Sequence, residues 1–401
     1  MSGNPIDKSN PAYKRAIQFI IAFGFVSLFA DVTYEGARGI IGLYLGVLGA
    51  SGATVGLIAG GGELLGYAFR LLSGWLADKL KLRWSIVIAG YLINLVAVPL
   101  LAVAGHLGFA VVLIFAERTG KAIRGPVKDA MLSNASTSTG IGWGFGLHEA
   151  MDQAGATLGP LITAGMLYRT GNQFAWAFGV LAIPALLSLA SLTFARLRFP
   201  DPENLETKKP ELRVRNFDKN YWFYMAFSAV FAAGFADFAL IAFHLGKTHV
   251  ISEPLIPVFY SLAMVTDGIA ALILGKMFDR LGIRALLLAT LLSAGSAPLC
   301  FLGGTSGIVA GLILWGIGMA SQESVMRAVI TTLVSKERRA TAHGLQNAVF
   351  GLSWFAGSAL LGVLYDISIL SLVIVSVSLQ IISIFLLLLV NRNPVHGEEN
   401  K

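Results

Sequence analysis

Three ionisable residues stand at helical spacing inside an apolar stretch: Asp31, Glu35 and Arg38 occupy positions i, i+4 and i+7. At 100° per residue they share one narrow stripe. An ionisable group at the centre of a lipid-facing helix costs roughly 2.5 to 3.5 kcal/mol, so such a stripe faces protein or water rather than lipid. Two ionised acids beside one cation leave one negative charge unbalanced, and a single proton removes it. The chemistry that suits this pattern is reversible proton loading. A structural lock explains Arg38 with one acid but has no use for the second.

The fourth apolar stretch is unusually basic. Arg118, Lys121 and Arg124 follow at spacing three, with Lys128 and Asp129 behind them, and the tenth answers with Glu323 and Arg327 on one face. Convergent Arg and Lys in a poorly solvated place suit a carboxylate or phosphate ligand. Glu63 and Arg70 are seven apart, as are Asp237 and His244, while Glu149, Asp152 and Asp267 lie in other apolar stretches. Structural pairing with the basic residues accounts equally well for Glu149, Asp152 and Asp267. The proton-coupling candidates are Asp31, Glu35 and Asp237. Those for substrate contact are Arg38, Arg118, Lys121, Glu149, Asp152, Glu323 and Arg327.

Other chemistries find little here. No GxxxxGK[ST] loop is present, so nucleotide hydrolysis has no machinery and a gradient must drive any work. The six histidines are scattered and the one cysteine, Cys300, lies in an apolar stretch, so neither a metal centre nor a disulfide is expected. No cofactor and no enzymatic activity are expected. The coupling ion is a proton, although a carboxylate site can equally hold sodium.

Such residues need elements to place them at membrane depth. Of the 401 residues, 55% are apolar and 13% charged, against roughly a quarter charged in a soluble domain, and the mean hydropathy is +0.71. Apolar stretches long enough to cross a hydrocarbon core of roughly 30 Å recur from Ala16 to Val390, which predicts twelve transmembrane helices. The first 14 residues and those after Asn391 read as polar tails. The run after Arg15 reads as an uncleaved first span rather than a signal peptide.

The net charge of +7 encodes topology rather than nucleic-acid binding. With both termini in the cytoplasm, 21 of the 30 Lys and Arg fall in inner segments, two (Arg169 and Lys247) fall outside, and seven lie within spans. That asymmetry is the positive-inside pattern of a multi-pass inner-membrane protein. Its partners are the lipid bilayer and a small-molecule solute, and a monomer is expected.

The stretch from Arg196 to Lys219, with Pro200, Pro202 and Pro210, divides the chain into bundles at 1–195 and 220–401, joined by a cytoplasmic linker at 196–219. The halves repeat each other. Gly74-Trp-Leu-Ala-Asp78-Lys79 recurs as Gly275-Lys-Met-Phe-Asp279-Arg280, and Phe29-Ala30-Asp31 as Phe235-Ala236-Asp237. Gly146-Leu147, with Gly159 and Tyr168, recurs as Gly344-Leu345, with Gly357 and Tyr365. All offsets lie between 197 and 206. Three matches in order argue for two six-helix bundles.

Gly74 to Arg83 and Gly275 to Arg284 resemble the signature loops after helices 2 and 8 of the Major Facilitator Superfamily. Lys81 replaces a glycine in the first copy. Gly155-Ala-Thr-Leu-Gly159-Pro160 resembles the opening of that family's antiporter motif on helix 5, with Thr163 and Ala164 in place of its closing glycine pair. The run from Glu117 to Ala130 resembles helix 4 of bacterial members. The resemblance implies an all-α membrane fold of twelve helices in two pseudo-symmetric bundles, alternating access, and Asp31 and Asp237 as counterparts across a cavity. The inner loops suggest gating by Asp78, Arg83, Asp279 and Arg280, with Asp78 and Asp279 latching onto helix N-termini. The expected function is secondary active transport of a small organic solute, with proton antiport and efflux leading. Proton-coupled uptake of an organic anion is the alternative, and a channel or membrane receptor a distant third.

Overall fold

In the computed structural model, which describes residues 11–80, 82–136, 141–200, 217–334 and 339–390, the chain forms helices and, among those residues, no strands. We number the membrane-length rods in order: α1 (Pro11–Val47), α2 (Gly52–Leu80), α3 (Arg83–Leu100), α4 (Leu107–Ser136), α5 (Ile141–Thr170), α6 (Phe174–Gly179 and Ala182–Arg198), α7 (Lys219–Gly234 and Phe238–Thr248), α8 (Leu255–Leu281), α9 (Ile283–Ser293 and Ser296–Leu302), α10 (Thr305–Ala320, continuing to Leu333), α11 (Arg339–Ile367) and α12 (Ile369–Leu388). The twelve expected helices are therefore present. Lipid offers no hydrogen bonds, so every backbone group must pair within its own segment, and helices do this.

Among the described residues, nine rods are apolar enough to cross a membrane on composition alone. The other three are α2, α4 and α5, and α4 carries the basic run. Two of these three, α4 and α5, carry Lys121, Arg124, Lys128, His148 and Asp152. Elsewhere Phe194, Leu272 and Phe385 stand exposed, as a lipid solvent allows.

Packing divides the chain into two compact units that do not coincide with the sequence halves. The first is Met1–Ile40 with Ala68–Lys208, and the second is Ile41–Tyr67 with Lys209–Lys401. The cut runs through α1 and α2. The expected linker lies largely at 201–216, outside the described residues, although α6 continues to Arg198 before it.

In the first unit, α5 closes on α1 through two glycines. A Cβ on Gly155 would strike the Leu28 carbonyl and the Asp31 Cβ, and one on Gly159 would strike the Val32 carbonyl and the Gly36 amide. Thr163 Oγ1 adds a bond to the Gly36 carbonyl at 3.2 Å, and Ser188 Oγ one from α6 to the Val26 carbonyl at 2.7 Å. Small residues allow this close helix approach, and a hydroxyl between helices strengthens it. The glycines of the helix-5 motif thus have a packing task, one that seats Asp31.

In the second unit, α7 breaks at Phe235–Asp237. The backbone acceptors around the break find side-chain donors: Gln380 Nε2 to Phe231 O (3.1 Å), Ser376 Oγ to Gly234 O (2.7 Å) and Trp315 Nε1 to Ala236 O (2.9 Å). Phe235 packs among Phe231, Trp315 and Trp354. Non-helical backbone is tolerated at this depth because it is buried and paired. At the other end of this unit, Asp366 of α11 accepts from the amides of Gly52 and Ala53, both at 2.8 Å. A carboxylate there satisfies two orphan donors at the start of α2 and meets the positive end of its dipole.

Candidate site: a buried ionic cluster of the first unit

The first unit gathers Asp31, Glu35, Arg38, Arg118, Lys121 and Asp152 from the sequence candidates, and adds Tyr34, Tyr91, Glu117, Arg124, Lys128 and His148 to them. Asp31 and Glu35 are each 6% exposed. Glu35 carries two cations, Lys121 at 3.5 Å and Arg38 at 3.8 Å. Tyr34 follows Asp31 by three residues and so shares its stripe. Lys121 Nζ also stands 3.8 Å from the centre of the Tyr34 ring, a cation–π contact.

A second group lies beside it. Lys128 reaches Asp152 at 3.6 Å, and His148 faces the other oxygen of Asp152 at 3.6 Å, one helical turn away on α5. Fully buried Ser27 meets His148 Nε2 at 3.4 Å and the Tyr91 hydroxyl at 3.5 Å, and accepts from Lys128 at 3.5 Å. Tyr91 and Asn94 come from α3. Asn94 donates to both the carbonyl and the carboxylate of Glu117, and Glu117 in turn holds Arg118 at 3.3 Å. These ionic contacts run from 3.3 to 3.8 Å, longer than the roughly 2.7–2.9 Å of a tight charge-assisted bond.

Glu149 is exposed and accepts from Gln153 Nε2 at 3.4 Å. Asp237 belongs to the second unit, where both oxygens are engaged: one caps the second segment of α7 by accepting from Ala239 N at 2.9 Å, the other accepts from Trp354 Nε1 at 3.3 Å. Glu323 and Arg327 are exposed in α10, Glu323 within a one-turn π-helix at Ser321–Val325 and Arg327 just after it. π-Turns often accompany function. Asp279 and Arg280 are exposed at the end of α8 and Arg83 is half-buried at the start of α3, while the Asp78 side chain lies outside the described residues. Among the described residues no group of three or more His, Cys, Asp or Glu is placed to hold a metal ion.

Sequence reasoning assigns Tyr34, Tyr91 and His148 no role. The signal for two of them is spacing: Tyr34 follows Asp31 by three and His148 precedes Asp152 by four, so each shares its acid's face. For Tyr91 and Asn94 no local signal exists, because the packing of α3 on α4 brings them in.

Two model matches, over residues 19–248 and 222–401, together span the chain, and their description is Major Facilitator Superfamily. An uncharacterized protein of Mycobacterium tuberculosis (strain ATCC 25618 / H37Rv) is 42% identical over 388 residues, 95% of each chain. An uncharacterized MFS-type transporter of Methanocaldococcus jannaschii is 27% identical, covering 90% of this chain and 92% of its own. Among solved structures, a mutant of the nucleoside transporter NupG superposes with a TM-score of 0.75 over 92% of this chain and 99% of its own, at 14% identity. At that identity the likeness is one of fold.

Proposed function

The chain belongs to the Major Facilitator Superfamily, and from that premise we propose that this secondary transporter moves a small organic anion by alternating access, driven by protons loaded at Asp31 and Glu35. One observation carries the reading: two buried acids one turn apart on α1 share their surroundings with Lys121 and Arg38. Protonating Glu35 releases both cations from the carboxylate they share, and an anion can then occupy them. Proton and anion are loaded together, so the geometry favours symport, and hence uptake down a proton gradient. Asp237 caps the second segment of α7.

Proton antiport with efflux is the second reading, favoured by the helix-5 glycines Gly155 and Gly159. Their close packing on α1 accounts for those residues without it. The Lys and Arg asymmetry supports a cytoplasmic-membrane location with both termini inside. The test is transport in proteoliposomes against a panel of carboxylates, phosphates, sugars and organic cations with an imposed pH gradient. Accumulation of an anion in the direction of proton flow supports symport. Movement of that anion against the proton flow supports antiport, and movement of cations alone overturns the anionic reading.

A further inference from the structure

Arg124 is the cluster's unexplained member. It is 3% exposed, in the middle of α4, and its Nε is fully buried with no hydrogen-bond partner. Among the described residues no carboxylate lies within 4 Å of its guanidinium, whereas Arg38, Arg118, Lys121 and Lys128 each have one. Arginine cannot shed its proton to escape this. A buried cation without a counter-ion is costly, and such a group in a native structure calls for an explanation.

Packing fixes where the side chain goes. The backbone of Gly90 in α3 presses on its stem, so a Cβ there would meet the Arg124 Cβ at 2.8 Å. The guanidinium therefore extends along the faces of two tyrosines, 4.1 Å from the centre of the Tyr91 ring and 5.7 Å from that of Tyr34. Ring faces soften the charge without donating or accepting for its N–H groups, so the planar donor fork stays available. Lys121 shares the Tyr34 ring at 3.8 Å. Asp31 and Asp152 act on Arg124 only through space, and Asp152 is engaged by Lys128 at 3.6 Å.

We infer that Arg124, with Lys121 beside it, is the seat for the oxyanion group of the substrate, a carboxylate or phosphate on a small organic body. This rests on the anionic reading above and deepens it. Release of Lys121 from Glu35 on protonation completes the seat, and Arg124 supplies the fork that two oxygens can take together.

The experiment measures concentration-dependent uptake of radiolabelled benzoate, succinate, glycerol phosphate and glucose into proteoliposomes, for wild type, Arg124→Gln and Arg124→Lys. Benzoate and succinate against glycerol phosphate separate the two oxyanion sources. For whichever probe the wild type accumulates, Arg124→Gln is expected to raise KM at least tenfold, and Arg124→Lys several-fold, with melting temperatures within a few degrees of wild type. Where Arg124→Gln does not fold, the lysine variant carries the comparison, because it keeps the charge and loses the fork. An unchanged KM in a folded variant overturns the seat and leaves the anionic reading standing. A wild type that moves glucose alone, or no oxyanion, overturns the anionic reading and the seat with it.

Discussion

Lys121 holds its ammonium 3.5 Å from the Glu35 carboxylate across 86 positions of chain, tying α4 to α1. Removing one partner leaves the other poorly compensated at a site where Glu35 is nearly buried. Lys121→Met is therefore expected to destabilise the protein by about 1–3 kcal/mol, and the double variant Lys121→Met, Glu35→Gln by less than the sum of the singles. Thermal melts of the four proteins in detergent measure this. Strict additivity shows the two side chains to be uncoupled.

Gly159 sits where α5 touches the α1 backbone at Val32 and Gly36. Gly159→Leu forces that interface apart and is expected to cost about 1–3 kcal/mol, lowering the melting temperature and impairing transport together. A variant with wild-type stability but altered substrate choice contradicts the packing role.

Asp366 holds the first two amides of α2. Asp366→Asn keeps one acceptor and loses the charge, so a loss of roughly 0.5–2 kcal/mol is expected. Hydrogen exchange read by mass spectrometry on the peptide covering 50–56 should quicken by about fivefold or more. Unchanged protection there contradicts the cap.

Much of this is legible in the residues. Asp31, Glu35 and Arg38 announce a shared face by spacing alone, and the structure places Arg38 and Lys121 on Glu35 as a helical stripe facing a basic helix would. Paired Gly and Asp at constant offset foretell two related halves. The packing boundary is not legible. Residues 41–67 join the second unit because α1 and α2 at Gly42, Gly52 and Gly56 meet Ala239, Tyr365 and Ser358, and those contacts join positions roughly two to three hundred residues apart. At Asp237 the sequence shows a buried aspartate in an apolar stretch, and the cap it makes on the second segment of α7 emerges only with the break in that helix. Arg124 looks like one third of a basic trio, and that no carboxylate among the described residues lies within 4 Å of it emerges once α3 and α4 are packed together.

Topology is open to direct test. With both termini inside, a reporter enzyme active only in the periplasm, fused after Lys209, is expected to be silent. Activity of that fusion reverses the orientation.

Proton coupling at α1 is the centre of the account. Asp31→Asn fixes the neutral form beside Tyr34 and Glu35, so one load–unload step is lost while the cations remain. In proteoliposomes, the variant is expected to lose uphill accumulation under an imposed pH gradient and to keep downhill exchange of the same anion, measured side by side with wild type. Wild-type accumulation in both Asp31→Asn and Glu35→Gln contradicts the account, and reduces the α1 stripe to a structural ion cluster.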